Sequence, residues 1–220
     1  MKKLLGLDNP VLQILARVGD LMITNVLFLL CCVPVVTVGA SIAAMTKVTQ
    51  SIVMDADSGI VKTFFGAFRS NFKQATAVWL ILAVIAVGLG CNWFLILSYF
   101  SGILSLILRW AVGMLAIAVL AIAVYIFPLM VRYENTLRQH CLNAMILTIY
   151  KLPRTAGMLF LLLLPVIIAF LSLMTFFKTL AVWFIIGCAV ISYFNSVLML
   201  PVLTELEKRE SPAEDADTDE

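Results

Sequence analysis

Few side chains in this 220-residue sequence have both the type and the company that chemistry needs. The single histidine, His140, stands beside Cys141. One imidazole and one thiolate are half of a structural zinc tetrad, and no C-x-x-C or H-E-x-x-H supplies the rest. His140 is therefore read as a surface residue. Cys31, Cys32, Cys91 and Cys188 lie in or beside apolar runs, and with Cys141 they read as small packing residues. The phosphate-cradling G-x-x-x-x-G-K-[ST] loop, the G-x-S-x-G nucleophile turn and the G-x-G-x-x-G dinucleotide loop are all absent. No catalytic, cofactor-binding or metal-ligating set emerges, and the chain reads as a non-enzyme.

What stands out instead is polarity inside apolar sequence. Asn25, Asn92 and Asn195 fall within long hydrophobic runs, with Thr24 and Ser196 beside two of them. Polar groups are costly in hydrocarbon, so each needs either a bond to another helix or a place on a cargo path. Arg109, early in another run, can snorkel to an interface. Outside the runs, Lys62, Arg69 and Lys73 form one basic group, and Arg132, Glu134 and Arg138 form another. These six are candidate partner-docking residues, and the three asparagines are the candidate intramembrane polar ones.

The elements that must position these residues follow from composition. Hydrophobic residues make up 63% of the chain, charged residues 13%, and the mean hydropathy is +1.07. Soluble domains carry about 45–50% apolar and about 25% charged residues, which excludes a soluble or disordered protein. A bilayer core of about 30 Å needs about 20 helical residues. Five runs qualify, at about 19–38, 75–97, 103–131, 155–174 and 180–200. The first run follows a helix-like segment containing Asp8, Arg17 and Asp20, so it reads as an uncleaved span rather than a signal. Residues 98–102 and 175–179 are expected to be tight turns. The expected fold is all-α and polytopic, with about five spans in one domain (1–204) and an acidic, disordered tail (205–220).

The longer connections, 39–74 and 132–154, each carry an amphipathic pattern. Val61, Phe64, Phe65, Phe68 and Phe72 share a stripe opposite Lys62, Arg69, Ser70 and Lys73. Leu137, Cys141, Met145, Ile149 and Leu152 make a second stripe, ended by Pro153. Two interfacial helices are expected, either as lipid-surface and packing elements or as docking surfaces. If both connections and the tail face the cytoplasm, ten Lys and Arg lie inside and five outside. A first segment that crosses once puts the N-terminus outside; a re-entrant one, broken at Pro34 and Gly39, returns it inside. The basic body faces anionic lipid headgroups, so nucleic acid is not invoked as a partner.

These residues resemble a known family. The stretch LCCVPVVTVGASIAA (30–44) resembles the signature of the YesL-like family of bacterial membrane proteins, a domain-of-unknown-function family. The run from Phe65 to Ala75, the segment from Pro128 to Ala144 and Lys151-Leu152-Pro153 are similar to that family too. The resemblance implies a multi-pass protein of the bacterial plasma membrane, often linked to carbohydrate uptake by ABC-type transporters. It brings no catalytic residues or cofactor. The expected function is thus an accessory or regulator of a carbohydrate ABC-type system, with its subunits as partners. The alternative is a small permease whose route passes Asn25, Asn92 and Asn195. Oligomeric state is left open.

Overall fold

A computed structural model gives the architecture, and it describes residues 10–56, 59–171 and 173–217. Helices α1 (Pro10–Cys31), α2 (Val38–Val53), α3 (Ile60–Tyr99) and α4 (Gly102–Met130) come first. They are followed by α5 (Leu137–Tyr150), α6 (Leu152–Leu171), α7 (Leu173–Val182) and α8 (Cys188–Asp217). No strand occurs among the described residues. Six stretches among them are long and apolar enough to cross a membrane, one more than the sequence reading expects. In hydrocarbon every backbone group must be bonded within the protein, which helices do within one segment.

The additional stretch lies where a cytoplasmic connection was expected. Helix α1 ends at Cys31 rather than near residue 38, because the residue before Pro34 is pushed away from helical geometry. A 3-10 turn, Val35–Thr37, reverses the chain. Thr37 Oγ1 donates to Cys31 O (2.6 Å) and lies 2.7 Å from Pro34 O, serving carbonyls that the helix end leaves open. Then α2 runs back along α1, and the Arg17–Asp55 ion pair (2.5 Å) ties the two ends of the hairpin together. Residue 17 and residue 55 therefore lie at the same end of the bundle. This is the re-entrant or returning arrangement, not the single crossing.

The expected interfacial helix 61–73 is not separate. It is the first part of α3, which continues through the expected span to Tyr99. Forty residues at 1.5 Å each make a rod of about 60 Å, twice the thickness of a bilayer core. The aromatic stripe divides. Phe64 is fully buried against Ala44, Val48 and Ile52 of α2, and Phe68 packs beside it. Val61, Phe65 and Phe72 stay exposed. The chain turns at Phe100–Ser101, where Gly102 takes φ +68°, a conformation open to glycine at no steric cost.

Helix α5 is separate, as expected, but it buries a different face. A capping box starts it, with Thr136 and Gln139 bonding each other's backbone N–H. His140, Ala144 and Leu147 face inward, while Met145, Ile149 and Leu152 of the predicted stripe are exposed. His140 is thus a buried residue and not a surface one (1% exposed). Helix α5 carries apolar residues on both its buried and its exposed sides, and the sequence pattern does not say which side packs.

The turn expected at 175–179 is also absent, because those residues lie inside α7. A π-helical turn, Trp183–Gly187, joins α7 to α8. Helix α8 continues to Asp217, so helix covers residues 205–217, expected to be disordered; residues 218–220 lie outside the described ones. Extending an existing helix needs no new nucleus, and Glu, Lys and Arg favour it. Lys151 and α8's Glu205 form an ion pair at 2.6 Å. One buried cluster, around Tyr125, Leu129, Met158 and Met199, joins α4, α6 and α8. A second, around Val48 and Phe64, joins α1, α2, α3 and the start of α8.

Candidate functional site

Helix α2 is the most enclosed of the spans and organises the polar chemistry. One side is made of small residues at helical spacing: Gly39, Ala40, Ala43 and Ala44, all buried. Such a face lets backbones approach closely. At Gly39 a Cβ would sit 2.3 Å from Ala75 O and 2.5 Å from Trp79 Cβ, so only glycine fits where α2 crosses α3. Trp79 Nε1 donates to Val35 O (2.9 Å), fastening α3 to the reversal. The Pro34-Val35-Val36-Thr37-x-Gly39 element is therefore the construction of this hairpin.

The other side of α2 is polar and meets α4 and α8. Thr49 Oγ1 donates to Thr46 O (3.0 Å) and lies 3.0 Å and 2.9 Å from the Ser192 and Ser196 hydroxyls. A hydroxyl has one hydrogen to give and two lone pairs, so Thr49 is saturated. Lys47 Nζ donates to Val131 O (3.0 Å) and Gln50 Nε2 to Pro128 O (3.3 Å). Arg132 reaches Met54 Sδ at 2.9 Å. Two side chains of α2 thus serve carbonyls at the C-terminal end of α4, where a cation is also favoured by the helix dipole.

Asn25 performs a similar service on the broken helix. It is fully buried, and its Nδ2 donates to Phe184 O (2.6 Å) while its Oδ1 accepts from Ala189 N–H (3.0 Å). A π turn shifts the backbone ladder, and one amide satisfies both groups around it. Asn92 is exposed and bonds only Gly88 O of its own helix (2.9 Å). Asn195 lines a cavity, and its buried Oδ1 accepts no hydrogen bond. Of the three asparagines, Asn195 lines this cavity and Asn25 and Asn92 do not.

That cavity, about 880 Å³, is a half-open groove between α3 and α4, lined also by residues of α2, α6 and α8. Its walls are apolar, Leu82, Leu89, Leu120 and Val124 among them, with Trp79 and Trp93 along one side. Thr46, Ser192, Asn195 and Ser196 gather on the α2 and α8 wall, and no charged residue lines it.

The docking candidates separate into two groups. Lys62, Arg69 and Lys73 are exposed along the first half of α3. Arg132 is half-buried at the end of α4; Glu134 and Arg138 are exposed near the start of α5. Helix α3 packs on α1, α2 and α4, and α5 on α4 and α6, so the two basic groups sit on helices without substantial mutual packing. Burial pushes the His140 pKa below the ordinary histidine value. Arg109 bonds its own helix through Ser105 O (3.2 Å). All five cysteines are free thiols.

The sequence reading missed Thr46, Lys47, Thr49, Gln50 and Ser192. Their stretch has low hydropathy for a span, and the signal that could have found it is the repeated small residues at i and i+4, from Gly39 to Ala44.

Fold and site together define an all-helical, polytopic membrane protein. Residues 21–93, a third of the chain, match the family described as "Protein of unknown function, DUF624", to which YesL belongs. The match takes in the stretches 30–44 and 65–75, so the resemblance to YesL-like proteins holds there; 128–144 and 151–153 lie beyond it. No curated protein and no solved structure matches the chain.

Proposed function

We propose that this protein is an accessory or regulatory subunit of the bacterial plasma membrane, acting on a carbohydrate ABC-type uptake system. The observation that carries the reading is the excess length of α3. A core-spanning helix needs about 20 residues, and α3 has 40. Its first half presents Lys62, Arg69 and Lys73 with Val61, Phe65 and Phe72, all exposed. A basic and aromatic surface beside a membrane suits a cytoplasmic partner or an anionic lipid face. The carbohydrate link comes from the family resemblance alone.

Orientation supports a cytoplasmic placement of that surface. With α1 and α2 returning, the N-terminal arm, the α2–α3 and α4–α5 connections and the C-terminus share one side. Only Arg109 and Lys178 of the fifteen Lys and Arg residues then belong to the other. That bias is stronger than in the single-crossing arrangement, and it supports reading this side as cytoplasmic.

The test is a mild-detergent pull-down from native membranes, with wild type and the Arg69→Glu/Lys73→Glu variant compared. Recovery of ABC permease, ATPase or sugar-binding subunits, lost in the variant while the protein stays monodisperse, is the expected result. Unchanged recovery in the variant removes the α3 surface as the dock. Recovery of the protein alone removes the accessory role.

A further inference from the structure

Helix α2 fixes how far the α1–α2 hairpin reaches along α3. Near the reversal, Gly39 meets Ala75 and Trp79, and the Val35 carbonyl accepts from Trp79 Nε1 (2.9 Å). At the other end of α2, Ile52 clusters with Phe64. The hairpin thus lies beside residues 60–79 of α3 and stops there. Beyond Trp79, α3 continues through twenty more residues to Tyr99, about 30 Å of helix. That length is the thickness of a whole bilayer core. It carries no charge, and Ile81, Val84, Val87 and Phe94 are exposed along it, so hydrocarbon is its surrounding. A hairpin that crossed the same bilayer would bring its tip level with the α3–α4 turn, and this one ends about 30 Å short of it.

The hairpin's own residues give the same depth. Counting back from the reversal, the first charge on α1 is Asp20 and the first on α2 is Lys47. The uncharged arms, 21–31 and 38–46, have eleven and nine residues, about 16 and 14 Å of helix. One leaflet's share of a core of about 30 Å is about 15 Å. Helix α2 as a whole has sixteen residues, about 24 Å, less than one crossing. Yet the tip is not made for water. Val33, Val35 and Val36 are 78%, 71% and 53% exposed, and Val26 and Leu30 continue the apolar surface down α1. Lys73, the last charge on α3, stands six residues or about 9 Å before Trp79, so the tip lies within the uncharged zone.

We propose that the α1–α2 hairpin is a re-entrant wedge that enters one leaflet only, its valine tip lying among acyl chains about 10–15 Å inside the core. That leaflet is the one on the side of Lys62, Arg69 and Lys73, and calling it cytoplasmic rests on the orientation proposed above. Helices α3 and α4 cross fully, and the protein takes up more of one leaflet than of the other.

The test places single cysteines in a full chain whose five native cysteines are changed to Ala. Val35→Cys marks the tip, Ser101→Cys the α3–α4 turn and Lys62→Cys the start of α3. A membrane-impermeant maleimide is applied to intact cells and to inverted membrane vesicles. Ser101→Cys should react only in cells and Lys62→Cys only in vesicles. Val35→Cys should react in neither, yet react with a lipid-soluble maleimide. Reaction of Val35→Cys in cells means a full crossing, and reaction in vesicles means a hairpin lying in water; either overturns the wedge. Exchanged behaviour of Ser101→Cys and Lys62→Cys overturns the orientation, while a shielded Val35→Cys still upholds the depth. If the cysteine-free chain fails to fold, a benzophenone amino acid replaces Val35 in the otherwise native chain. Photocrosslinking to phospholipid is then expected, and crosslinking to a second copy in its place overturns the lipid contact.

Discussion

Replacing Gly39 by alanine tests the hairpin on which the topology depends. The added methyl would lie 2.3 Å from Ala75 O and 2.5 Å from Trp79 Cβ. Ordinary contact between such atoms is about 3.5–4.0 Å. Helices α2 and α3 must therefore part by more than 1 Å or tilt, because one of the clashing groups is backbone. Overpacking of a close interior costs about 1–3 kcal/mol. If the separation also breaks the Trp79–Val35 bond, about 1 kcal/mol more is lost. The control is Gly66 on the exposed side of α3, where a Cβ meets nothing. Gly66→Ala should be neutral or stabilising by about 0.5–1 kcal/mol, from helix propensity alone. Thermal unfolding of the detergent-purified protein, followed by tryptophan fluorescence, reads both, at about 2–4 °C per kcal/mol for a chain this size. Gly39→Ala as stable as wild type, or Gly66→Ala equally damaging, would refute the close crossing of α2 and α3.

Asn25→Leu should cost about 2–4 kcal/mol, since it leaves the Ala189 N–H and the Phe184 carbonyl without partners in a span. Asn92→Leu, which removes only a bond within α3, should change the melting temperature by no more than a degree or two, and equal losses for the two would discredit the π-turn assignment. Acid should weaken the protein through His140, whose folded pKa lies below the ordinary value of about 6.5. The unfolded chain then takes up a proton that the folded one refuses, so stability is complete above about pH 6.5 and falls as pH drops toward the folded pKa. Urea titrations from pH 7.5 to 5 should show that decline, and His140→Gln should flatten it; an equally steep decline in the variant would move the cause to another group.

Much of this architecture is legible in the residues. Long apolar runs declare themselves because a span must be apolar nearly throughout, and α4 falls within a residue or so of its expected bounds. Helix α2 is hidden because protein, not lipid, surrounds it. A helix packed on every side can use Gly, Ala, Ser, Thr and even Lys47, and so loses the hydropathy that marks a span. The amphipathic stretches mislead for a related reason. Periodicity at Phe64 and Phe68 shows that a face is buried but not whether lipid or α2 buries it. For α5 the pattern selects the wrong face, since the inward one carries a histidine. The asparagines separate only by geometry: Asn25 and Asn195 look alike in sequence, yet one is fully bonded and the other unmet.

The π turn at Trp183–Gly187 sets the angular phase of everything after it. An α-helix advances about 100° per residue, and a π turn takes in one residue more than an α turn. Helix α8 is thereby rotated by about 100° relative to an uninterrupted continuation of α7. The azimuth that aims Ser192 and Ser196 at Thr49, and Asn195 at the cavity, depends on that single extra residue. Deleting one residue between 183 and 187 would leave composition and span length almost unchanged. It would nonetheless swing the seam of α8 a quarter-turn away from α2, as a key cut correctly but turned in its lock.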